Sequence, residues 1–500
     1  MLILIVVTKL TLQFLFLNPA YELHRDEFLH LDQAFHPAWG YISVPPLTSW
    51  ISHLIYLLGG GLFWIRLFPA LFGAATIILV WKLTEEMGGQ KWACAMATTY
   101  LAFSVLLRIN LLFQPNSFDI LAFTAIFWLA VRYINSSGTR WLYALAVAIA
   151  LGFYNKYNIV FPVFSLLAAI ALTEYRRIFQ TKALWQAFAL CLILILPNLI
   201  WQYQNDFPVI QHMNALNQSQ LVHVSRIGFI ADQLMYGLLG VITIPAIGAL
   251  FFYKPFKKYR FIGIVFVLTM AIYIATRAKS YYAIGLYPVL FAVGSLFIEK
   301  ILKRWKAPVM GLMMVTNMVV FAGIAKLLMP VQSPAQIVAN RGSYEKMGLL
   351  RWEDGKNHQL PQDFADIVGW REMAEKTLIA YRSIPEEELA ETIVFCDNYG
   401  QTGAVNYYNR GKMAEAYSFN TDYINWLPRK EKITNILLIG EEPGIEIINL
   451  FKACKAIGEV TNPYAREKGT KIILLTGAKP EFTGLFYQMA EKRKKTFDIF

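Results

Sequence analysis

The chain has 500 residues, of which 56% are hydrophobic and 16% charged, with a mean hydropathy of +0.41. That apolar share excludes a disordered chain and an ordinary soluble domain, and reads as a polytopic membrane protein. The net charge of +12 does not point to nucleic acid, because the basic residues fall in short loops between apolar runs, where membrane topology accounts for them.

A helix crossing a bilayer core needs about 20 apolar residues, and about eleven runs approach this length. They are centred on residues 2–19, 63–83, 91–107, 117–134, 139–154, 158–173, 183–201, 231–252, 260–276, 283–299 and 307–329. The first run lacks a small-residue cleavage site and a basic start, so a retained helix is expected rather than a cleaved signal. Lys9 lies inside it. A charge at mid-membrane costs roughly 2.5–3.5 kcal/mol, so Lys9 is expected to reach the cytoplasmic surface or to pair within the bundle.

Directly after that run comes Leu23-His24-Arg25-Asp26-Glu27-Phe28-Leu29-His30. Carboxylates beside a membrane-length apolar run need water, a partner or a chemical task. In a helix, Asp26 and His30 share a face at i, i+4, while Glu27 turns about 100° away. The following loop is long and carries Val44-Pro45-Pro46-Leu47; residues 46–58 then read as an apolar helix too short to span, lying in the interface with Trp50 at headgroup depth.

Loops after even-numbered runs carry Lys82 and Lys91, Arg132 and Arg140, Arg176, Arg177 and Lys182, then Lys254 to Arg260 and Lys300 to Lys306. Odd-numbered loops carry roughly half as many, which places the even loops and the N-terminus in the cytoplasm and the chain beyond residue 330 outside. Five polar clusters that topology does not explain then share the outer side. They are Arg25-Asp26-Glu27, Gln114 to Asp119, Asn155-Lys156-Tyr157-Asn158, Trp201 to Asp206, and Arg277 to Tyr282. One composite site is expected from them, built on a domain over residues 1–330.

Beyond the linker Val331-Gln332-Ser333-Pro334, residues 331–500 read as a soluble α/β domain. Ile393-Val394-Phe395, Ile436 to Ile439 and Ile472 to Leu475 suit buried strands, with helices expected near 363–381, 444–457 and 480–494 in a small mixed or parallel sheet. Cys94, Cys191, Cys396 and Cys454 have no metal-ligand spacing, and buried thiols are expected over a Cys396 to Cys454 bridge.

The Asp-Glu pair opening a large outer loop, the Pro-Pro-Leu re-entry, the Asn155-Lys156 turn and the Lys279-Ser280-Tyr281-Tyr282 turn together resemble the GT-C polytopic glycosyltransferases. The branch is that of bacterial relatives of protein O-mannosyltransferases and of the aminoarabinose transferase that modifies lipid A. The resemblance covers residues 1–330, and Asn398-Tyr399-Gly400 in the tail is similar to the outer domain of such proteins. It implies a helical membrane bundle, a polyprenyl-phosphate sugar as donor, inverting transfer to an unknown lipid, glycan or protein acceptor, and an acid of the first outer loop as base. Many relatives carry Glu-Lys before the Pro-Pro, where this chain has Ser43-Val44.

That chemistry needs a base for the acceptor hydroxyl and cations for the departing phosphate. Asp26, with Glu27 beside it, fits the first. Lys156, Arg277 and Lys279 fit the second, with Tyr281 or Tyr282 donating a hydrogen bond. Gln114, Asp119, Gln202, Asn205 and His30 are candidates for contacts to the substrate. A divalent metal held by Asp26 and Asp119 is compatible with this set but not demanded by it, since Lys and Arg alone can hold a monophosphate. A transporter or flippase for lipid-linked sugars is the alternative reading; against it stand the absence of a sequence repeat and the one-sided polar clusters.

Overall fold

The computed structural model describes residues 1–237 and 240–496. Helices occupy every apolar run expected from the sequence, from Leu2–Leu15 and Leu62–Glu86 through Lys306–Leu328. Within the run expected over 231–252, residues 238–239 lie outside the described residues. Among the described residues, length and composition alone qualify five helical segments as membrane-crossing: Leu62–Glu86, Pro115–Ser136, Lys182–Gln204, Lys254–Ala275 and Ser280–Leu328. A pair bent by 105°, Tyr157–Ala171 with Glu174–Gln180, would make six. The last segment holds two helices, Tyr287–Leu302 and Lys306–Leu328. Others, such as Leu2–Leu15 and Arg140–Asn155, are shorter than a full bilayer crossing.

Helix Lys182–Gln204 leaves Leu192, Ile193, Leu196 and Ile200 exposed, a face suited to lipid and not to water. Lys9 stays inside the bundle: it is 2% exposed and its Nζ donates to the Ala70 carbonyl at 2.8 Å. The basic loops gather at one end. Arg132 pairs with Glu86 at 2.7 Å, Lys258 donates to Asn135 at 3.1 Å, and the Tyr175 hydroxyl donates to the Lys258 carbonyl at 3.0 Å.

At the other end, the loop after the first helix folds into two helices, Arg25–Asp32 and Leu47–Leu57, the second matching the short apolar helix expected over 46–58. Helix Arg25–Asp32 starts where His24 accepts the Asp26 N–H and Glu27 accepts the His24 N–H, a reciprocal cap that satisfies two otherwise unpaired donors.

The C-terminal region carries a five-stranded mixed sheet in the order β2-β1-β3-β5-β4, with β1 Thr392–Cys396, β2 Ala416–Tyr417, β3 Asn435–Gly440, β4 Ala453–Glu459 and β5 Lys471–Thr476. β1 runs parallel to β2 and β3, and β5 antiparallel to β3 and β4. Val394 lies opposite Leu437, and Leu437 opposite Leu474, so the three expected apolar runs form the sheet centre. Helices Trp370–Arg382 and Glu481–Thr496 lie close to the expected ranges. The helix expected at 444–457 is corrected: only Ile445–Ile448 is helical, and Ala453–Glu459 is an edge strand. Its exposed Lys455 suits a sheet edge, where charge discourages further pairing. Cys396 is buried, Cys454 is exposed, and both are free thiols.

The outer loop and this sheet share one core. Leu23, Phe28, Leu31, Ile55 and Phe113 interdigitate with Trp370, Met373, Val394, Val405 and Leu437. Phe28 is fully buried and meets Trp370 edge-on, ring centres 5.8 Å apart. Burying a side chain of this size is worth roughly 1.5–3 kcal/mol, so the Asp26 helix is held largely by the C-terminal region.

Candidate active site

Asp26 sits in the first turn of its helix, where the N-terminal dipole favours a carboxylate. Its side chain is 38% exposed, whereas those of Glu27 and Asp32 on the same helix are 0% and 2% exposed. Oδ1 accepts the Tyr399 hydroxyl at 2.7 Å, and Oδ2 accepts the Gln114 amide at 3.1 Å. Burial alone would raise this carboxyl, but His24, Arg25, the Tyr399 hydroxyl and His30 outweigh it and hold it down at about 2. Asp26 is therefore ionised at any physiological pH.

From Asp26 a path of hydrogen bonds leads to a cation. The Asn116 amide donates to Gln114 Oε1 at 3.3 Å, and Lys156 Nζ donates to Asn116 Oδ1 at 2.8 Å. Lys156 lies in the break between helices Arg140–Asn155 and Val160–Ala171. Its Nζ stands 5.0 Å from the Tyr281 ring centre and 4.6 Å from that of Tyr282. Among the described residues no carboxylate lies within ion-pair distance of it, so the ammonium rests on one amide oxygen and two aromatic faces. Such faces contribute about 0.5–2 kcal/mol and leave the charge free for an anion. Burial pushes Lys156 down to about 8, partly offset by the Asp119 charge.

Lys279 adjoins this cation but is engaged. Its Nζ donates to Gln220 Oε1 at 2.6 Å and pairs with Glu353 at 2.5 Å. The Asp26 charge is felt at both Tyr281 and Glu353, which ties the acid and the basic turn into one neighbourhood.

The chain also matches known proteins. Residues 43–201 match the family model for dolichyl-phosphate-mannose-protein mannosyltransferases. The lipid A galacturonosyltransferase RgtD of Rhizobium johnstonii is 27% identical over 195 residues, which is 38% of this chain and 39% of that protein. The match thus spans well under half of the relative. The crystal structure of ArnT from Cupriavidus metallidurans bound to undecaprenyl phosphate superimposes with a TM-score of 0.63 at 13% identity, over 94% of this chain and 97% of that one. Its apo form gives 0.62 over the same shares. The fold is that of a GT-C glycosyltransferase of the ArnT-like type.

In this ArnT-like fold the expected clusters do not all contribute equally. Asp26, Gln114, Lys156, Tyr281 and Tyr282 come together, and Lys279 adjoins them. Asp119 is 2% exposed; its Oδ2 accepts the Asn158 amide at 3.1 Å, while Oδ1 has no hydrogen-bond partner among the described residues. His30 is buried against Gln33 at 3.3 Å, and burial pushes its imidazole below the ordinary value. Gln202 is a structural tie: it donates to the Tyr157 hydroxyl at 2.8 Å, and Tyr157 donates to Asn198, which holds the Trp39 carbonyl at 2.6 Å. Asn205 is exposed and caps its own helix through the Trp201 carbonyl at 2.8 Å.

One expectation is corrected. Glu27, expected beside Asp26 as a catalytic group, is fully buried, ion-paired with Arg66 and bonded by the Phe113 and His24 N–H groups, each at 2.6 Å. With both oxygens occupied and no surface exposed, it fixes the helix and is closed to a substrate. Arg277, expected to grip phosphate, is exposed at a left-handed φ of 53° and makes no side-chain hydrogen bond or ion pair among the described residues. For a metal, Asp26 and Asp119 belong to separate hydrogen-bond sets, and among the described residues no three His, Cys, Asp or Glu side chains converge.

Tyr399, Asn116 and Glu353 contact the candidate residues and were not singled out from the sequence. Asn116 lay within a recognised polar cluster, and its place beside Gln114 at a helix start was the available signal. Tyr399 lies 373 positions from Asp26, and its only signal was the Asn398-Tyr399-Gly400 turn.

Proposed function

We propose that this protein is an integral membrane glycosyltransferase that moves a hexose or pentose from a polyprenyl-phosphate donor to an acceptor hydroxyl outside the bacterial inner membrane. The observation that carries the reading is the hydrogen-bonded path from the accessible Asp26 carboxylate through Gln114 and Asn116 to the unpaired Lys156 ammonium. Base and phosphate cation are thereby held in one network, separated by two amide side chains, which suits group transfer. ArnT was crystallised with undecaprenyl phosphate, and RgtD acts on lipid A; both lend weight to a lipid-phosphate carrier. The N-terminus is assigned to the cytoplasm and the C-terminal domain to the outer face, from the distribution of basic loops.

In this mechanism the acceptor hydroxyl hydrogen-bonds to Asp26 and attacks the anomeric carbon from the face opposite the phosphate. The new C–O bond forms as the anomeric carbon to phosphate oxygen bond breaks, which inverts the centre. The hydroxyl proton passes to Asp26. Although a carboxylate held near 2 is a weak base, the proton becomes strongly acidic as its oxygen bonds to carbon, so transfer late in the step is favourable. Polyprenyl phosphate departs as an anion stabilised by Lys156 and by Lys279 once Glu353 yields, with Tyr281 or Tyr282 donating to a phosphate oxygen.

Mass spectrometry of envelope glycolipids and glycoproteins from cells with and without the gene tests the reading and identifies donor and acceptor. A sugar-sized mass increment that depends on the gene supports it. Translocation of an intact lipid-linked sugar in proteoliposomes, with no bond cleaved, would instead establish the flippase alternative.

A further inference from the structure

Helix Tyr399–Asn409 of the C-terminal region lies against the Asp26 helix unusually closely, and two glycines make this approach feasible. A Cβ on Gly403 would stand 2.7 Å from the Phe28 Cβ and 3.0 Å from the Phe28 carbonyl carbon; one on Gly400 would stand 3.2 Å from the Arg25 Cβ. Any larger residue at 403 forces backbone apart. The helix start is fixed by a reciprocal cap in which Asn398 Oδ1 accepts the Gly400 and Gln401 N–H groups at 2.9 and 3.0 Å. The Gln401 side chain returns to accept the Asp397 N–H at 3.0 Å. Tyr399 is therefore presented rigidly. Its hydroxyl donates to Asp26 Oδ1 at 2.7 Å, and the Arg25 guanidinium carbon sits 4.4 Å above its ring.

We propose that Tyr399 is a positioning residue for the transfer, and that the C-terminal domain completes the reaction centre by pinning one oxygen of the Asp26 carboxylate. With Oδ1 held by Tyr399 and Oδ2 by Gln114, the carboxylate plane is fixed from two sides, one in the membrane half and one in the C-terminal half. The exposed part of the carboxylate then offers its remaining lone pairs to the acceptor hydroxyl in a single orientation. This rests on the reading of Asp26 as the base.

The test uses the full-length protein and the donor identified from envelope analysis. Tyr399→Phe keeps the ring under Arg25 and removes only the hydroxyl. It is expected to lower kcat about 10- to 100-fold, the usual effect of losing a hydrogen bond to a charged group, with donor affinity within about twofold of wild type. The acid limb of its kcat/KM profile should move to higher pH, because the carboxylate loses a stabilising donor. Adding Tyr399→Phe to Asp26→Asn should cost no further activity, since the two act as one unit. Gly403→Ala, with Tyr399 intact, should reproduce the drop in kcat by separating the helices. Wild-type kcat in Tyr399→Phe alongside an inactive Asp26→Asn would overturn this inference alone, as would independent, multiplying losses in the double variant. Full activity in Asp26→Asn would instead remove the base reading beneath it.

Discussion

Lys156 is the residue whose behaviour separates a phosphate-binding role from plain anchoring at the headgroups. Burial pushes its ammonium down to about 8, so the cation is present below that pH and lost above it. Donor kcat/KM is expected to fall above about pH 8, and Lys156→Arg should abolish that limb, because a guanidinium stays charged. An unchanged limb in Lys156→Arg would assign the titration to another group. Asp26, held at about 2, contributes no limb between pH 5 and 8 in the wild type. Both residues were legible in the sequence, since each is a charge beside an apolar run that topology leaves unexplained. Glu27 looked equivalent to Asp26 there; only the buried Arg66, 39 positions away, distinguishes them.

Among the elements, the segment carrying Glu353 is the one that must give way. Trp352 donates its N–H to the Lys356 carbonyl at 2.9 Å, and Arg351 bridges Asn357, so the carboxylate rides on a tight hairpin over Lys279. Glu353 occupies an anion position that the donor phosphate would claim. A partly exposed pair of this kind is worth about 1 kcal/mol, so Glu353→Gln should lower the donor KM by up to about fivefold, an effect weakened at high salt. A raised KM would mean that Glu353 helps hold the donor. Neither this hairpin nor its contact was legible, because local polarity alone does not say which loop reaches which lysine. The strands β1, β3 and β5 were legible because buried strands are continuous apolar runs, whereas β4 was not: an exposed edge strand keeps its charges and imitates a helix face.

At the scale of the whole molecule, the division at residue 330 marks a change of composition and not of packing. The outer loop buries Phe28 and Leu31 against Trp370 and Val405 of the far half, across a gap in sequence that no periodicity reports. Trp370 is fully buried and donates its indole N–H to the Asp366 carbonyl at 2.9 Å. Trp370→Ala is expected to cost about 3–5 kcal/mol and to open the loop over residues 20–62 to proteolysis, leaving the membrane helices intact. Unchanged protection of that loop would show that the halves hold together by other means. The one-sided placement of polar clusters, by contrast, was readable from apolar run lengths and basic loops, and four of the five are joined by contacts around Asp26 and Lys156.

The central claim is that Asp26 accepts the acceptor's proton while Lys156 and the neighbouring basic turn hold the donor. The direct measurement is donor binding and single-turnover sugar transfer by purified wild type and Asp26→Asn. The account predicts donor affinity near that of wild type and transfer slowed about 10²–10⁴-fold, the range for a lost general base. Transfer at the wild-type rate by Asp26→Asn would contradict it.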